Sequence, residues 1–82
     1  MSLDDRSGRI RRDSPRLLTD QVADDIRADI IKAAITGRLP TEVELASQYG
    51  VSRVTIRRAV AILVSEGLIE VIHGRGTFVA ER

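Results

Sequence analysis

Residues 39–79 read LPTEVELASQYGVSRVTIRRAVAILVSEGLIEVIHGRGTFV, and this stretch decides the fold of the chain. Its first part predicts two short helices joined by a sharp turn, because two helix-start signals are separated by a glycine. Its second part predicts a strand, a glycine-rich tip and a returning strand. We therefore expect the rest of the chain to support two neighbouring helices and a small hairpin.

The first helix of the pair begins at a capping box. Thr41 and Glu44 have the S/T-x-x-E spacing, in which each side chain bonds the backbone N–H of the other residue. Gly50 follows the last turn, where a left-handed residue without a Cβ costs least. The residues expected to supply apolar surface to the core are Val43, Leu45, Ala46 and Tyr49.

The second helix is predicted from Arg53 to about Glu66, with Ser52 as its N-cap and Gly67 after its end. Apolar residues recur at the spacing of a core-facing stripe, namely Ile56, Ala59, Val60, Leu63 and Val64. Polar residues near the start of the helix lie largely off that stripe, namely Ser52, Arg53, Thr55, Arg57 and Arg58. That end of a recognition helix meets base edges in the major groove of DNA.

The hairpin is predicted from a change in composition after the second helix. Residues 68–72 and 77–79 are rich in β-branched side chains, and the tip between them is His73-Gly74-Arg75-Gly76. A small hairpin that carries a cation beside a recognition helix is typical of a wing. The predicted fold class is therefore mainly α with a small β-hairpin: a winged helix-turn-helix of three helices and a two-stranded wing.

This block resembles the N-terminal DNA-binding domain of GntR-type bacterial transcriptional regulators, most closely the branch typified by HutC. The patterns LP-[ST]-E, G-V-S-R-x-T-[VI]-R, E-G-L and G-[RK]-G-T-[FY]-V occur in the order and spacing of that family, over about half of the chain. The chain departs from the pattern at Val43, where the family usually has Arg, and in the segment before Leu39, which is about two residues short.

The resemblance implies a recognition helix in the major groove and a wing at the minor groove. The residues predicted to bind DNA are Thr41, Glu42, Ser52, Arg53, Thr55, Arg57, Arg58, His73, Gly74, Arg75, Gly76 and Thr77. The expected function is sequence-specific DNA binding in a transcriptional regulator. The alternative is a winged helix used as a protein-docking module, which should expose an apolar patch where the recognition helix here is polar.

The resemblance also implies a larger C-terminal domain, absent from this chain, that binds an effector and forms a homodimer. The expected partner is double-stranded DNA with a two-fold symmetric operator, because dimer symmetry is mirrored in the site. For the 82 residues alone we expect a monomer or a weak dimer. The expected location is the bacterial cytoplasm, in association with the nucleoid, and no membrane partner is expected.

Composition argues against several other classes of function. The chain has no Cys and one His, which excludes disulfides and the usual zinc sites. We expect no metal, no cofactor, no catalytic residue and no enzyme activity. The net charge is only +1, but the acids concentrate in the predicted first helix, and a local basic patch is what phosphate contacts require.

Residues 1–14 are predicted to form a flexible basic arm, in which Ile10 is the only buriable side chain. An arm that contacts phosphates or enters a minor groove is the alternative. Residues 15–82 then form the domain. Ser14 at the N-cap and Pro15 at the first helical position predict a helix that runs to about Ile35.

The predicted first helix has an apolar stripe and an acidic face. The acidic residues are Asp20, Asp24, Asp25 and Asp29. Such a cluster could serve Mg²⁺ or acid catalysis, but Asp24 lies three residues before Arg27, and Asp29 three before Lys32. Ordinary pairing on the helix surface is therefore favoured. An acidic face cannot lie on DNA, so we expect it to point away.

Overall fold

The computed structural model describes residues 5–81, so residues 1–4 of the predicted arm and residue 82 of the predicted domain lie outside it. After a 3₁₀ turn at Ser7–Arg9, the elements are α1 (Leu18–Ile31), α2 (Glu42–Tyr49), α3 (Arg53–Ser65), β1 (Ile69–Ile72) and β2 (Gly76–Val79). Three helices followed by one antiparallel hairpin confirm the predicted fold class. No helix among the described residues combines the length and apolar character that crossing a bilayer requires.

The core lies where α1 and α2 pack against α3, and it is almost entirely aliphatic. The largest fully buried side chains are Tyr49, Ile26, Ile56, Leu63, Ile69 and Val22. Burying an aliphatic side chain of this size stabilises the fold by roughly 1.5–3 kcal/mol. α3 contributes Ile56, Ala59 and Leu63, which commits one face of that helix to the core and leaves the opposite face free.

The turn between α2 and α3 has the predicted local structure. The Thr41 N–H donates to Glu44 Oε1 at 2.8 Å, and the Glu44 N–H donates to Thr41 Oγ1 at 3.1 Å. Gly50 has φ 67°, in the left-handed region, and its N–H closes the end of α2 on Ala46. Ser52 Oγ accepts from the Thr55 N–H at 3.1 Å and so begins α3.

Both predicted ends of the first helix are wrong. Ser14 does cap a backbone N–H, but its Oγ accepts from Arg16 at 3.1 Å in a turn, and α1 begins only at Leu18. The helix ends at Ile31 because Ala33 adopts φ 57°. The Ala34 N–H then bonds the Asp29 carbonyl at 2.8 Å, which closes the end of the helix as a Schellman motif before Ile35.

The segment predicted as a flexible arm differs in the structure, because residues 5–14 pack on the helices. Ile10 is 8% exposed and belongs to the core cluster. The Arg6 N–H donates to the Gln48 carbonyl at 2.7 Å, and the Gln21 side chain bonds the backbone of Arg11. Arg6 and Arg9 of this segment contact the α1 carboxylates Asp25 and Asp29, so these ion pairs attract the segment to α1 in a way that composition alone did not reveal.

Three apolar residues differ from their predicted burial. Val43 and Val64 were expected to face the core, but they are 56% and 39% exposed. Val64 lies one position beyond Leu63, which takes the buried place on that turn of α3. Phe78 lies in the register of an apolar face and is therefore predicted to be a core residue, but it is only half-buried, because β2 belongs to a two-stranded sheet with one face against the helices.

The wing is attached to the segment that precedes α2. β1 and β2 pair with Val71 opposite Thr77 and Ile72 opposite Gly76. On the other side of β2, Arg38 forms an isolated bridge with Phe78, and the Leu39 N–H donates to the Thr77 carbonyl at 2.8 Å. These bonds hold the wing against the start of the helix-turn-helix.

Candidate nucleic-acid interface

The exposed face of α3 is cationic. Arg53, Arg57 and Arg58 lie outside the buried stripe, and the side chains of Arg53 and Arg57 are 61% and 62% exposed. Within residues 5–81, Arg58 makes no ion pair. The structure therefore exposes all three guanidinium groups near the start of the helix, and Glu42 brings Arg53 and Arg57 together.

Ser52 and Thr55 are partly committed to the cap of α3. The Ser52 hydroxyl accepts the Thr55 N–H and also donates to Thr55 Oγ1 at 3.0 Å. A hydroxyl has two acceptor lone pairs and one donor, so Thr55 keeps its own O–H free to donate. Both side chains hold the N-terminus of α3 in place while they retain polar groups at the surface.

Glu42 of α2 brings Arg53 and Arg57 together. Its Oε1 accepts from Arg53 Nε at 3.2 Å and from an Arg57 terminal N–H at 2.8 Å. Its Oε2 accepts from Arg57 Nε at 3.1 Å, so the contact with Arg57 is bidentate. The sequence had indicated Glu42 as a DNA-binding residue, but not this connection across 11 and 15 positions.

Glu42 and Arg57 each stabilise the ionised form of the other. The hydrogen bond from Arg57 is the main cause that holds the pKa of the Glu42 carboxyl below its usual value, and Arg53 adds to it. In the reverse direction, the hydrogen bond to Glu42 raises the pKa of Arg57. Glu42 and Arg57 are therefore both ionised at neutral pH, and the carboxylate offsets one of the two guanidinium charges that it contacts.

The wing tip carries the predicted exposed residues. His73, Gly74 and Arg75 are exposed, and the Arg75 N–H donates to the Ile72 carbonyl at 2.9 Å to close the turn. Gly76 has φ 121°, and a Cβ there would lie 3.0 Å from Arg38 Nε. The backbone conformation therefore favours glycine, and a Cβ would also require the Arg38 side chain to shift.

Arg38 is a cation of the wing that sequence reasoning missed. Its guanidinium lies beside Gly76, although the two residues are far apart in the chain. The signal that could have found it is the pairing of residues 37–39 with β2, which the shortened segment before Leu39 obscured. The base of the wing thus carries one guanidinium group more than its tip sequence shows.

An open groove of about 490 Å³ separates the recognition helix from the wing. Glu42, Arg57 and Thr77 line it, so α2, α3 and β2 border the same face of the molecule. Its floor is apolar and includes Val64 and Val71. Thr41 lies at the start of α2 and is exposed, but its hydroxyl is used by the capping box.

Two carboxylates of α1 form ion pairs with basic side chains. Among residues 5–81, no group of three or more His, Asp or Glu is arranged to hold a metal ion. Asp24 contacts Arg16 and Arg27, each at 2.6 Å, and Asp29 contacts Lys32 at 3.7 Å. The predicted pairing three residues along α1 is confirmed for Asp24 and Asp29, but the Asp29 side chain is buried and not on the helix surface.

Comparison with known proteins identifies the block. Residues 18–79 match the family described as "Bacterial regulatory proteins, gntR family". The chain belongs to the GntR family. The match includes all three helices and both strands of the wing, so the GntR resemblance inferred from the motifs is confirmed.

Two curated GntR relatives and one solved structure show what the chain is similar to. The mannosyl-D-glycerate transport/metabolism system repressor MngR of Escherichia coli (strain K12) is 44% identical over 63 residues, which cover 74% of this chain and 26% of MngR. The HTH-type transcriptional repressor NagR of Bacillus subtilis (strain 168) is 38% identical over 74 residues, 88% of this chain and 30% of NagR. AraR(DBD), solved in complex with operator ORX1, has a TM-score of 0.74 and 38% identity, and the match covers 87% of this chain and 94% of that one.

These findings decide the class of function. The chain spans between a quarter and a third of the length of those two curated relatives. It is a GntR-family DNA-binding domain with the winged helix-turn-helix fold, and its relatives are transcriptional regulators and not enzymes.

Proposed function

We propose that this domain binds a specific operator with α3 in the major groove and the wing at the minor groove, as in the HutC-like branch of the GntR family. One observation carries the proposal: Arg57 of α3 and Thr77 of the wing line the same groove, so the two elements face one ligand. The cationic groups of α3 and the wing then meet the phosphate backbone from both sides of that groove.

The roles of the predicted residues follow from their positions. Arg53 and Arg57 lie near the start of α3 and can bond guanine O6 and N7 bidentately. Ser52, Thr55 and Arg58 flank them and suit phosphate oxygens. Residues 73–77 and Arg38 supply the wing, where a guanidinium group suits the narrow minor groove and its phosphates.

For the whole regulator, we infer a homodimer that binds a two-fold operator, with an effector domain C-terminal to this block. NagR and MngR are described as repressors, and AraR(DBD) was solved with an operator. The 82-residue chain alone is expected to be a monomer or a weak dimer, located in the bacterial cytoplasm with the nucleoid. Sedimentation at micromolar concentration tests the first expectation, and a tight dimer contradicts it.

Selection of bound sequences from a random duplex pool tests the function. The expected result is enrichment of one motif with two-fold symmetry or of its half-site. Affinity for the selected duplex should fall steeply with salt, because log K decreases by about 0.9 per phosphate contact for each tenfold rise in salt concentration. A pool without enrichment, or an affinity that does not respond to salt, would contradict the proposal.

A protein-docking module remains the second candidate, and the apolar floor of the groove is the observation that favours it. Val64 and Val71 are exposed there. The groove adjoins the cationic face of α3 and does not replace it, however. A docking surface at the recognition helix should be apolar where this helix presents Arg53, Arg57 and Arg58, so DNA binding accounts for more of the surface.

A further inference from the structure

The carboxylate of Glu42 is the centre of an ion-pair cluster on the face proposed to meet DNA. It accepts three hydrogen bonds, one from Arg53 and two from Arg57, at distances between 2.8 and 3.2 Å. A carboxylate at a DNA-binding surface repels phosphates and weakens binding. Its presence therefore calls for a role other than attraction of the backbone.

Glu42 is held more firmly than the arginines that it contacts. It is the first residue of α2, directly after the capping box of Thr41 and Glu44, so its backbone position is set by two reciprocal hydrogen bonds. Its side chain is 29% exposed, against 61% for Arg53 and 62% for Arg57. An arginine side chain has many rotamers, so a fixed carboxylate limits the orientations of both guanidinium groups.

We propose that Glu42 is a positioning residue that increases the sequence selectivity of the domain by controlling Arg53 and Arg57. The inference rests on the proposed function, in which α3 enters the major groove. Glu42 holds both guanidinium groups from the side of α2. The arginine side chains therefore lose less conformational freedom when they form bidentate contacts with guanine. It also neutralises one of their two charges, which lowers affinity for DNA of unrelated sequence.

The two effects act on different modes of binding. Binding to unrelated DNA depends on attraction to its phosphates, so its affinity increases when a negative charge is removed from the protein. Contact with guanine depends on the orientation of the planar guanidinium group, so binding to the operator weakens when that group is free to adopt other orientations. Removal of the carboxylate should therefore reduce the difference in affinity between the operator and unrelated DNA, because it weakens binding to the first and strengthens binding to the second.

The test compares Glu42→Gln with Glu66→Gln in the 82-residue chain. Glu66 pairs with Arg27 at 2.7 Å beyond the C-terminal end of α3, so its substitution makes the same change in net charge elsewhere. Affinities are measured for the duplex selected by the wild-type chain and for a shuffled duplex of the same composition. We expect Glu42→Gln to bind the shuffled duplex several-fold more tightly, with a salt slope steeper by roughly one phosphate contact. In Glu42→Gln, the ratio of the affinity for the selected duplex to the affinity for the shuffled duplex should fall about tenfold. Glu66→Gln should leave that ratio unchanged.

A double-substituted background separates positioning from direct reading of a base. If Glu42 acts through the arginines, Glu42→Gln has no further effect on the affinity ratio in the Arg53→Ala, Arg57→Ala chain. A further fall of the ratio in that background means that Glu42 itself contacts a base, such as the cytosine N4 amino group, and overturns the proposal. An unchanged ratio in the single variant, or equal effects of Glu42→Gln and Glu66→Gln, also overturns it.

Folding is checked by a melting curve for each variant. If Glu42→Gln unfolds, Glu42→Asp replaces it, because this change keeps the charge but withdraws the carboxylate from the guanidinium groups. It should lower the affinity ratio without tighter binding of the shuffled duplex, and an unchanged ratio again overturns the proposal. A wild-type chain that shows no preference for its selected duplex contradicts the proposed function instead.

Discussion

Arg6 donates a hydrogen bond to Asp29, a carboxylate of α1 whose side chain is only 5% exposed. The same guanidinium group contacts Asp25 at 3.2 Å and donates to the Tyr49 hydroxyl at 3.3 Å. Tyr49 in turn donates to Asp25 at 2.6 Å. A residue that precedes every helix of the domain therefore connects α1 to the last residue of α2, and so supports the helix-turn-helix from behind.

Replacement of Arg6 should destabilise the domain more than replacement of an exposed arginine. Arg6→Met keeps an apolar stem but leaves Asp29 with the weaker partners Arg9 and Lys32, at 3.4 and 3.7 Å. We expect a loss of about 1–3 kcal/mol in the free energy of unfolding, since a buried charge loses its main partner. Urea denaturation measures it.

The matched control is Arg16→Ala. Arg16 contacts Asp24 at 2.6 Å, but both side chains are about half exposed. Exposed pairs of this kind contribute roughly 0–1 kcal/mol. Equal losses in the two variants would show that the contact between Arg6 and Asp29 does not hold the N-terminal segment in place.

The same cluster predicts acid sensitivity. Burial acts to raise the pKa of Asp29, but the hydrogen bond from Arg6 and the charges of Arg6, Arg9 and Lys32 outweigh it, so the pKa lies below its usual value. A carboxyl with a lowered pKa in the folded state contributes stability above its unfolded pKa, which is lost as the pH falls through the folded value. The melting temperature should therefore decrease from about pH 4 downward.

The control for this prediction is again Arg6→Met. Without its main partner, Asp29 has a smaller difference in pKa between the folded and unfolded states. The decrease in melting temperature between neutral and acidic solution should be smaller in this variant. An identical decrease would assign the acid sensitivity to other carboxylates.

Ala33→Gly should stabilise the domain. Ala33 has φ 57° at the end of α1, a conformation that costs a residue with a Cβ roughly 1–2 kcal/mol. Glycine removes this strain but makes the unfolded chain more flexible, so we expect a net gain of about 0.5–1 kcal/mol. Thermal unfolding measures it, and Ala34→Gly, at a neighbouring exposed position without a positive φ, should give no gain.

The arginines of α3 and of the wing should differ in their effect on specificity. Arg53→Ala or Arg57→Ala should cost roughly 1–3 kcal/mol on the selected duplex and relax discrimination at one base pair. Arg75→Ala at the wing tip should weaken binding to all sequences more evenly. Affinities for the operator and its single-base variants test this, together with a melting curve for each variant. Equal losses on every sequence would contradict this division of roles.

Much of the helix-turn-helix could be predicted because its determinants are local. The capping box of Thr41 and Glu44, the left-handed Gly50 and the cap at Ser52 all depend on partners within four residues along the chain. Local signals failed at α1, where Ser14 and Pro15 predicted a start that the backbone does not use. The local tendency of Ser14 and Pro15 to begin a helix contributes less than the packing of residues 5–16 on α1, where Gln21 donates to the carbonyls of Arg11 and Arg16.

The sequence by itself determined the order of the elements, the turn between α2 and α3, and the residue types at the recognition helix and wing tip. Only the tertiary structure decided which side chains meet. Arg6 reaches Tyr49 across 43 positions, Glu42 reaches Arg57 across 15, and Arg38 lies beside Gly76. The physical reason is range: caps and turns arise from neighbours in the chain, whereas an ion pair between elements forms only after hydrophobic burial has set their relative positions.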